Sequence, residues 1–79
     1  MSREEVLTKL KEIIVDIISD EEVIKKINED TRLVEDLGFD SLNMLMMAMG
    51  IEESFNVPIQ EMNSDTFKSV KDVIDYIIK

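Results

Sequence analysis

The residues able to do chemistry in this chain converge on one hydroxyl, that of Ser41, in the run Asp36-Leu37-Gly38-Phe39-Asp40-Ser41-Leu42. A serine becomes a nucleophile only when a base takes its proton. The chain has no histidine and no cysteine, so a Ser-His-Asp arrangement cannot form. No lysine lies between Lys26 and Lys68, which leaves a Ser-Lys pair only to a distant lysine folded close, and Phe39 and Tyr76 offer no base. Ser41 therefore reads as a passive acceptor, modified in trans, and the chain as a protein that is not itself an enzyme. Its neighbours fit that role. Asp36 and Gly38 are turn formers, Asp40 is a candidate N-cap, and residues 42–55 hold no Pro, Lys or Arg, so a loop enters a helix here. Ser41 then falls in the first turn, beside backbone N–H groups that lack intrahelical partners, at the positive end of the helix. Such a place suits a hydroxyl that is to carry a phosphate ester. Taken locally, the same residues also fit a plain helix cap, the commoner use of Ser and Asp at such a boundary.

The elements that must position Ser41 follow from hydrophobic spacing. A first helix is expected over residues 2–19, with Ser2 and Glu5 at capping-box spacing and Val6, Leu7, Leu10, Ile13, Ile14, Ile17 and Ile18 forming one apolar stripe. Residues 20–40 lose that period. Val23, Ile24 and Ile27 could make a turn of helix, while Leu33, Val34, Leu37 and Phe39 read as plugs pinning a long loop to the core. A loop of that length in a small domain usually carries function. It is the most acidic part of the chain, but the Asp-x-Asp-x-Asp-Gly spacing of a calcium loop is missing, so no metal site is expected.

A second helix is expected over residues 41–55, with Leu42, Leu45, Ala48, Met49, Glu52 and Phe55 along one side and Asn43, Met46, Met47 and Gly50 elsewhere. It is apolar nearly all round in its first three turns, which means deep burial or an exposed apolar contact surface. Pro58 ends it by holding Val57 out of helical geometry. Residues 62–66 fit a short helical turn. Ser69 and Asp72 then give a capping-box-like start to a last helix over residues 70–78, with Val70, Val73, Ile74, Ile77 and Ile78 as its stripe.

Composition bounds the rest. Seventy-nine residues with 44% hydrophobic content make one small folded domain, and two glycines with one proline argue for helices. The first residues are charged, with no apolar signal core, and no segment reaches membrane-spanning length, so a cytoplasmic protein and a monomer are the defaults. A net charge of −9 makes nucleic acid a poor partner and basic patches on other proteins the natural counterpart, although acidity also simply keeps a small protein soluble.

The run around Ser41 resembles the attachment motif of the acyl carrier protein family, Asp-Ser-Leu after a Leu-Gly turn. The likeness extends to Asp30-Thr31, Leu33-Val34-Glu35-Asp36-Leu37-Gly38, Glu52-Glu53, Phe55, Ile59, Val70 and Ile74-Asp75-Tyr76-Ile77, nearly the whole chain. It implies an all-α fold over residues 1–79, a single acyl carrier domain built as a helical bundle of three principal helices plus one short helix before the last. It implies that Ser41 bears 4′-phosphopantetheine, taken from coenzyme A by a phosphopantetheinyl transferase, with Asp40, Gly38 and Leu42 completing the attachment site. The arm's thiol would hold acyl groups as thioesters and pass them between acyl-transferring and ketosynthase-type enzymes of fatty acid or polyketide-type synthesis. A peptidyl or aminoacyl carrier would share the arm. A helical interaction module that grips a partner and is never modified is the rival from another class.

The chain departs from that pattern in informative places. Typical fatty-acid carriers are acidic in the turns after the serine, whereas Asn43 and Met46 stand here and only Glu52 and Glu53 keep the charge. Gly50 lies in a helix interior, where it costs up to about 1 kcal/mol against Ala, so it either admits a close approach by a helix or by the arm or is merely tolerated. Phe39 stands where family members often have a small residue. Methionines 44, 46, 47 and 49 suit an adaptable surface or pocket, and Met47 fits core filling equally well. The expected partner surface is Leu42, Leu45, Met46, Met49, Glu52 and Glu53.

Overall fold

Ser2 starts the first helix as its spacing predicts. Its hydroxyl accepts from the Glu5 N–H at 3.2 Å, and the Glu5 carboxylate accepts from the Ser2 N–H at 3.4 Å, closing the capping box of α1, Arg3–Ile18. Ser19 closes α1 in the left-handed conformation with φ 47°. In the computed structural model, which describes residues 1–59 and 65–78, three more helices follow: α2, Glu21–Lys26; α3, Ser41–Phe55; and α4, Val70–Ile78. The all-α bundle with three principal helices is as expected. The expected short turn at 62–66 lies mostly outside the described residues, and its last two residues, Asp65 and Thr66, form a turn.

The loose apolar residues after α1 do form a helix, α2. Asp20 caps it, accepting from the N–H groups of Glu22 at 3.1 Å and Val23 at 3.3 Å. Acids in its first turn and Lys25 and Lys26 in its last complement the helix dipole, a signal the hydrophobic pattern alone does not carry.

The core gathers Val6, Leu10, Ile13 and Ile14 of α1, Met44, Met47, Ala48 and Ile51 of α3, and Val70, Val73 and Ile74 of α4. Ile27, Leu33 and Phe39 plug it from the long loop, with Leu37 packed against them. Val34 corrects the sequence reading: it is 42% exposed and plugs nothing. The loop runs antiparallel to the segment before α4, so Leu33 points inward and its neighbour is left outside. That pairing is an isolated bridge between Arg32 and Ser69, in which the Leu33 N–H donates to the Lys68 carbonyl at 3.0 Å and the Val70 N–H to the Thr31 carbonyl at 2.9 Å. Asp72 holds the start of α4, accepting from the N–H groups of Lys68 at 2.9 Å and Ser69 at 3.1 Å. At the other end of α3, Asn56 adopts φ 56°, and the Tyr76 hydroxyl donates to the Pro58 carbonyl at 2.8 Å while its ring meets Phe67 edge-on at 5.5 Å.

Gly50 has a structural reason. A Cβ placed on it would stand 2.7 Å from Cγ2 of Ile13, so its missing side chain lets α1 and α3 approach closely. Of the uses left open by the sequence, a close approach by another helix is the one the packing shows. The four neighbouring methionines divide: Met44 and Met47 are core, and Met46 and Met49 are exposed. Among the described residues, no helix is long and apolar enough to cross a membrane.

Candidate functional site

The loop before Ser41 is held by its own backbone. N–H groups of Asp36 and Leu37 donate to the Arg32 carbonyl at 3.0 and 3.2 Å, that of Gly38 to Val34 at 3.0 Å and that of Phe39 to Leu33 at 3.1 Å. The Asp36 carboxylate accepts from the Arg32 N–H at 2.8 Å, and Arg32 pairs with Glu35 at 2.6 Å. The Glu35 carboxylate raises the pKa of the Arg32 guanidinium, which is therefore a fixed cation. Gly38 turns the chain with φ 71°, and no atom lies within 4 Å of the Cβ it lacks. Its role is conformational, not one of making room. Phe39, buried directly after it, anchors the end of the loop in the core, which accounts for a large side chain at that position.

Asp40 then caps α3. Its carboxylate accepts from the Asn43 N–H at 2.9 Å, and the Asn43 side-chain oxygen accepts from the Asp40 N–H at 3.2 Å. Asn43 thus closes a capping box in place of the usual Glu or Gln. The sequence reading named Asp40 as the cap but missed its partner, although the three-residue spacing was there to be read.

Ser41 is the first residue of α3 and is exposed. The N–H groups of Asn43 and Met44 are taken by Asp40, whereas those of Ser41 and Leu42 make no hydrogen bond among the described residues. The hydroxyl therefore projects from a rigid helix end beside two unused donors. That geometry accommodates a phosphate ester, since both donors and the helix dipole favour negative charge there. No Lys or Arg occurs from residue 33 to residue 67.

The structure brings Gly38, Asp40, Ser41 and Leu42 together at this one end of α3. The residues expected to meet partners run down the helix from there. Leu42 is 62% exposed, Leu45 57%, Met46 39% and Met49 60%, and Glu52 and Glu53 are exposed beyond them. Glu52 also has an internal duty, its carboxylate accepting from the Ile59 N–H at 2.9 Å. The core side of α3 is Met44, Met47, Ala48 and Ile51, so the side assigned from spacing through Leu42, Leu45 and Met49 faces outward, with its Ala48 buried and its Phe55 partly buried against the core.

Known proteins give this site a family setting. A family profile described as "Phosphopantetheine attachment site" matches residues 8–77. A protein named acyl carrier protein from Syntrophobacter fumaroxidans is 38% identical over 68 residues, 84% of each chain. One of the same name from Thermotoga maritima is 33% identical over 78 residues, 99% of this chain and 94% of its own. Another from Akkermansia muciniphila is 35% identical over 79 residues, covering 100% and 96%.

Proposed function

Because the chain belongs to the acyl carrier protein family, whose cofactor is 4′-phosphopantetheine, we propose that Ser41 carries that group and that residues 1–79 act as one discrete carrier domain. The observation that carries this reading is the exposed Ser41 hydroxyl at the first position of α3, beside two N–H groups with no other partner. The loading partner is a phosphopantetheinyl transferase that draws on coenzyme A. In that reaction the Ser41 oxygen forms a bond to the phosphorus that bears pantetheine, and the phosphoanhydride of coenzyme A breaks, with adenosine 3′,5′-bisphosphate as the leaving group. The hydroxyl proton passes to a base on the transferase. When bound, the arm supplies a thiol that holds acyl groups as thioesters. The chain's own residues do the rest: Asp40 and Asn43 fix the helix end, Gly38 and Phe39 set the entry of the loop, and the face of α3 meets the enzymes that load and unload the arm.

That face favours a dedicated set of partners in fatty acid or polyketide-type synthesis, in the cytoplasm. From Ser41 to Gly50 there is no charged residue, and Leu42, Leu45, Met46 and Met49 stand exposed together. Fully burying one such side chain contributes roughly 1.5–3 kcal/mol, against about 0–1 kcal/mol for an exposed ion pair. Contact of this kind rests on apolar fit, with Glu52 and Glu53 at the rim.

Intact mass after incubation with coenzyme A and a broad-specificity transferase tests the attachment. The wild type is expected to gain one arm and Ser41→Ala none. A Ser41→Ala chain that still gains the arm places the site elsewhere, and a wild type that never gains it leaves an unmodified interaction module.

A further inference from the structure

Four methionines stand close together in α3, and the fold sorts them into two pairs. Met44 and Met47 are sealed in the core, at 3% and 0% exposure, whereas Met46 and Met49 are open at 39% and 60%. The open pair is one helical turn apart and continues the exposed stripe of Leu42 and Leu45. The chain has no cysteine, so before any arm is attached its only sulfur is methionine. A thioether is oxidised most readily where solvent reaches the sulfur. Met46 and Met49 share a groove with Ile13 and Ile17 of α1 and with the carboxylates of Asp16 and Glu53, which only accept hydrogen bonds, and Ser54 is the one hydroxyl donor in that lining.

We propose that Met46 and Met49 are a reversible oxidation site, at which hydrogen peroxide turns the exposed face of α3 from apolar to polar. The inference rests on the carrier reading, in which that face meets the enzymes that load and unload the arm. At each site a sulfur lone pair attacks one peroxide oxygen, the O–O bond breaks, and the other oxygen leaves as water. Sulfur gives up two electrons, and the thioether becomes a sulfoxide. A methionine sulfoxide reductase reverses the step, releasing the oxygen as water while a dithiol is oxidised to a disulfide. The consequence follows from the surroundings. The new oxygen is a hydrogen-bond acceptor set beside Asp16 and Glu53, which have no proton to give it, so water satisfies it. A partner that covers the face must strip that water, a cost the thioether does not impose. Leu42 and Leu45 carry no sulfur, so the face is weakened and not erased. Met44 and Met47 are shielded, so the core and the helix end that presents Ser41 keep their packing. The site therefore switches contact and leaves the fold alone.

The test starts from the unloaded wild type, treated with hydrogen peroxide, freed of it, and then given coenzyme A and a broad-specificity phosphopantetheinyl transferase. Fragment mass spectrometry is expected to place one added oxygen on each of Met46 and Met49 while Met44 and Met47 remain thioethers. The KM of the transferase for the carrier should rise roughly tenfold at unchanged kcat, the effect of one unpaired polar group brought into a contact. Methionine sulfoxide reductases for both sulfoxide epimers should restore it. Melting followed by circular dichroism should not move. Met46→Leu with Met49→Leu, compared only with itself, should keep its KM through the treatment, although its other methionines still meet the oxidant. Oxidation of all four methionines at one rate, a KM that does not change, or the same rise in the leucine variant overturns the proposal. So does a fall in melting temperature that accounts for the lost loading, since the oxygen then acts through the core. An untreated wild type that never accepts the arm fails the carrier reading and takes the switch with it, whereas normal loading before treatment and no effect after it removes the switch alone.

Discussion

Gly38 and Ser41 stand three residues apart and contribute to the site in different ways. Gly38 holds φ 71° with open space where a side chain would be, so Gly38→Ala meets no steric clash with neighbours and only the left-handed backbone cost, about 1–2 kcal/mol. Gly38→Asn should lose less, since Asn visits that region more readily. Denaturant unfolding of the three proteins checks the order Gly, Asn, Ala, and equal midpoints would show that the turn relaxes without help from glycine. Ser41→Ala should change stability by less than about 1 kcal/mol, because Asp40 and not Ser41 supplies the cap. This division was half legible. Asp40, Ser41 and the turn at Gly38 could be read because caps and positive-φ turns leave short-range signatures. Asn43 was missed because it closes a capping box with a side chain one methylene shorter than the Glu or Gln of the common pattern. Val34 was misread because an apolar type next to Leu33 says nothing of which of the two the Arg32–Ser69 bridge turns inward.

At the scale of elements, all three principal helices were legible, and what the sequence left open was the inward side of the one without a single apolar stripe. α1 and α4 each turn inward the stripe that a 3.6-residue period picks out, except that Ile78, at the end of α4, is exposed where the reading placed it in the stripe. α3 is apolar on nearly every side, so period alone cannot decide which residues face inward. The packing against α1 decides, and its contact is Gly50 against Ile13. This makes Gly50→Ala a test with opposing terms. Helix propensity favours Ala by up to about 1 kcal/mol, while forcing a methyl against a buried β-branched side chain costs typically about 1–3 kcal/mol. Ile13 cannot swing its Cγ2 aside without leaving its rotamer well, so overpacking wins, and Gly50→Ala should destabilise the fold by up to about 2 kcal/mol. Ile13→Ala alone loses a buried side chain, about 2–5 kcal/mol. The double variant should lose less than the sum of the two, because the new methyl enters the space Ile13 vacates. Additive losses in a denaturant series would mean that the helices slide apart instead of clashing.

Over the whole molecule, one cluster joins parts that no local pattern connects. Arg3, at the start of α1, pairs with Glu29 in the long loop and with Asp75 in α4, the latter at 2.8 Å. The loop is tied a second time where the Lys71 N–H donates to the Glu29 carbonyl at 2.9 Å. These partners are spread along the sequence, which is why the cluster was invisible there while the helices it joins were not. Its signature is a pH dependence. The hydrogen bonds from Arg3 hold the Glu29 carboxyl below its ordinary value of 4.5, and the Arg3 guanidinium stays charged throughout. A carboxyl whose pKa is depressed in the folded state adds stability that is fully present above its unfolded value and is lost as pH falls through the folded one. Acidification also removes negative charge from a chain of net −9 and so relieves self-repulsion, which acts in the opposite direction on the wild type as a whole. The quantity to follow is therefore the difference in melting temperature between wild type and Glu29→Gln, from which the common repulsion term largely cancels. Wild type should melt higher above pH 4.5 by a steady margin. The margin should close as pH falls below that value, and added salt should narrow it at neutral pH, because the pair is partly exposed and screened. A margin that persists unchanged into acid would show that Glu29 holds the loop through its backbone carbonyl alone.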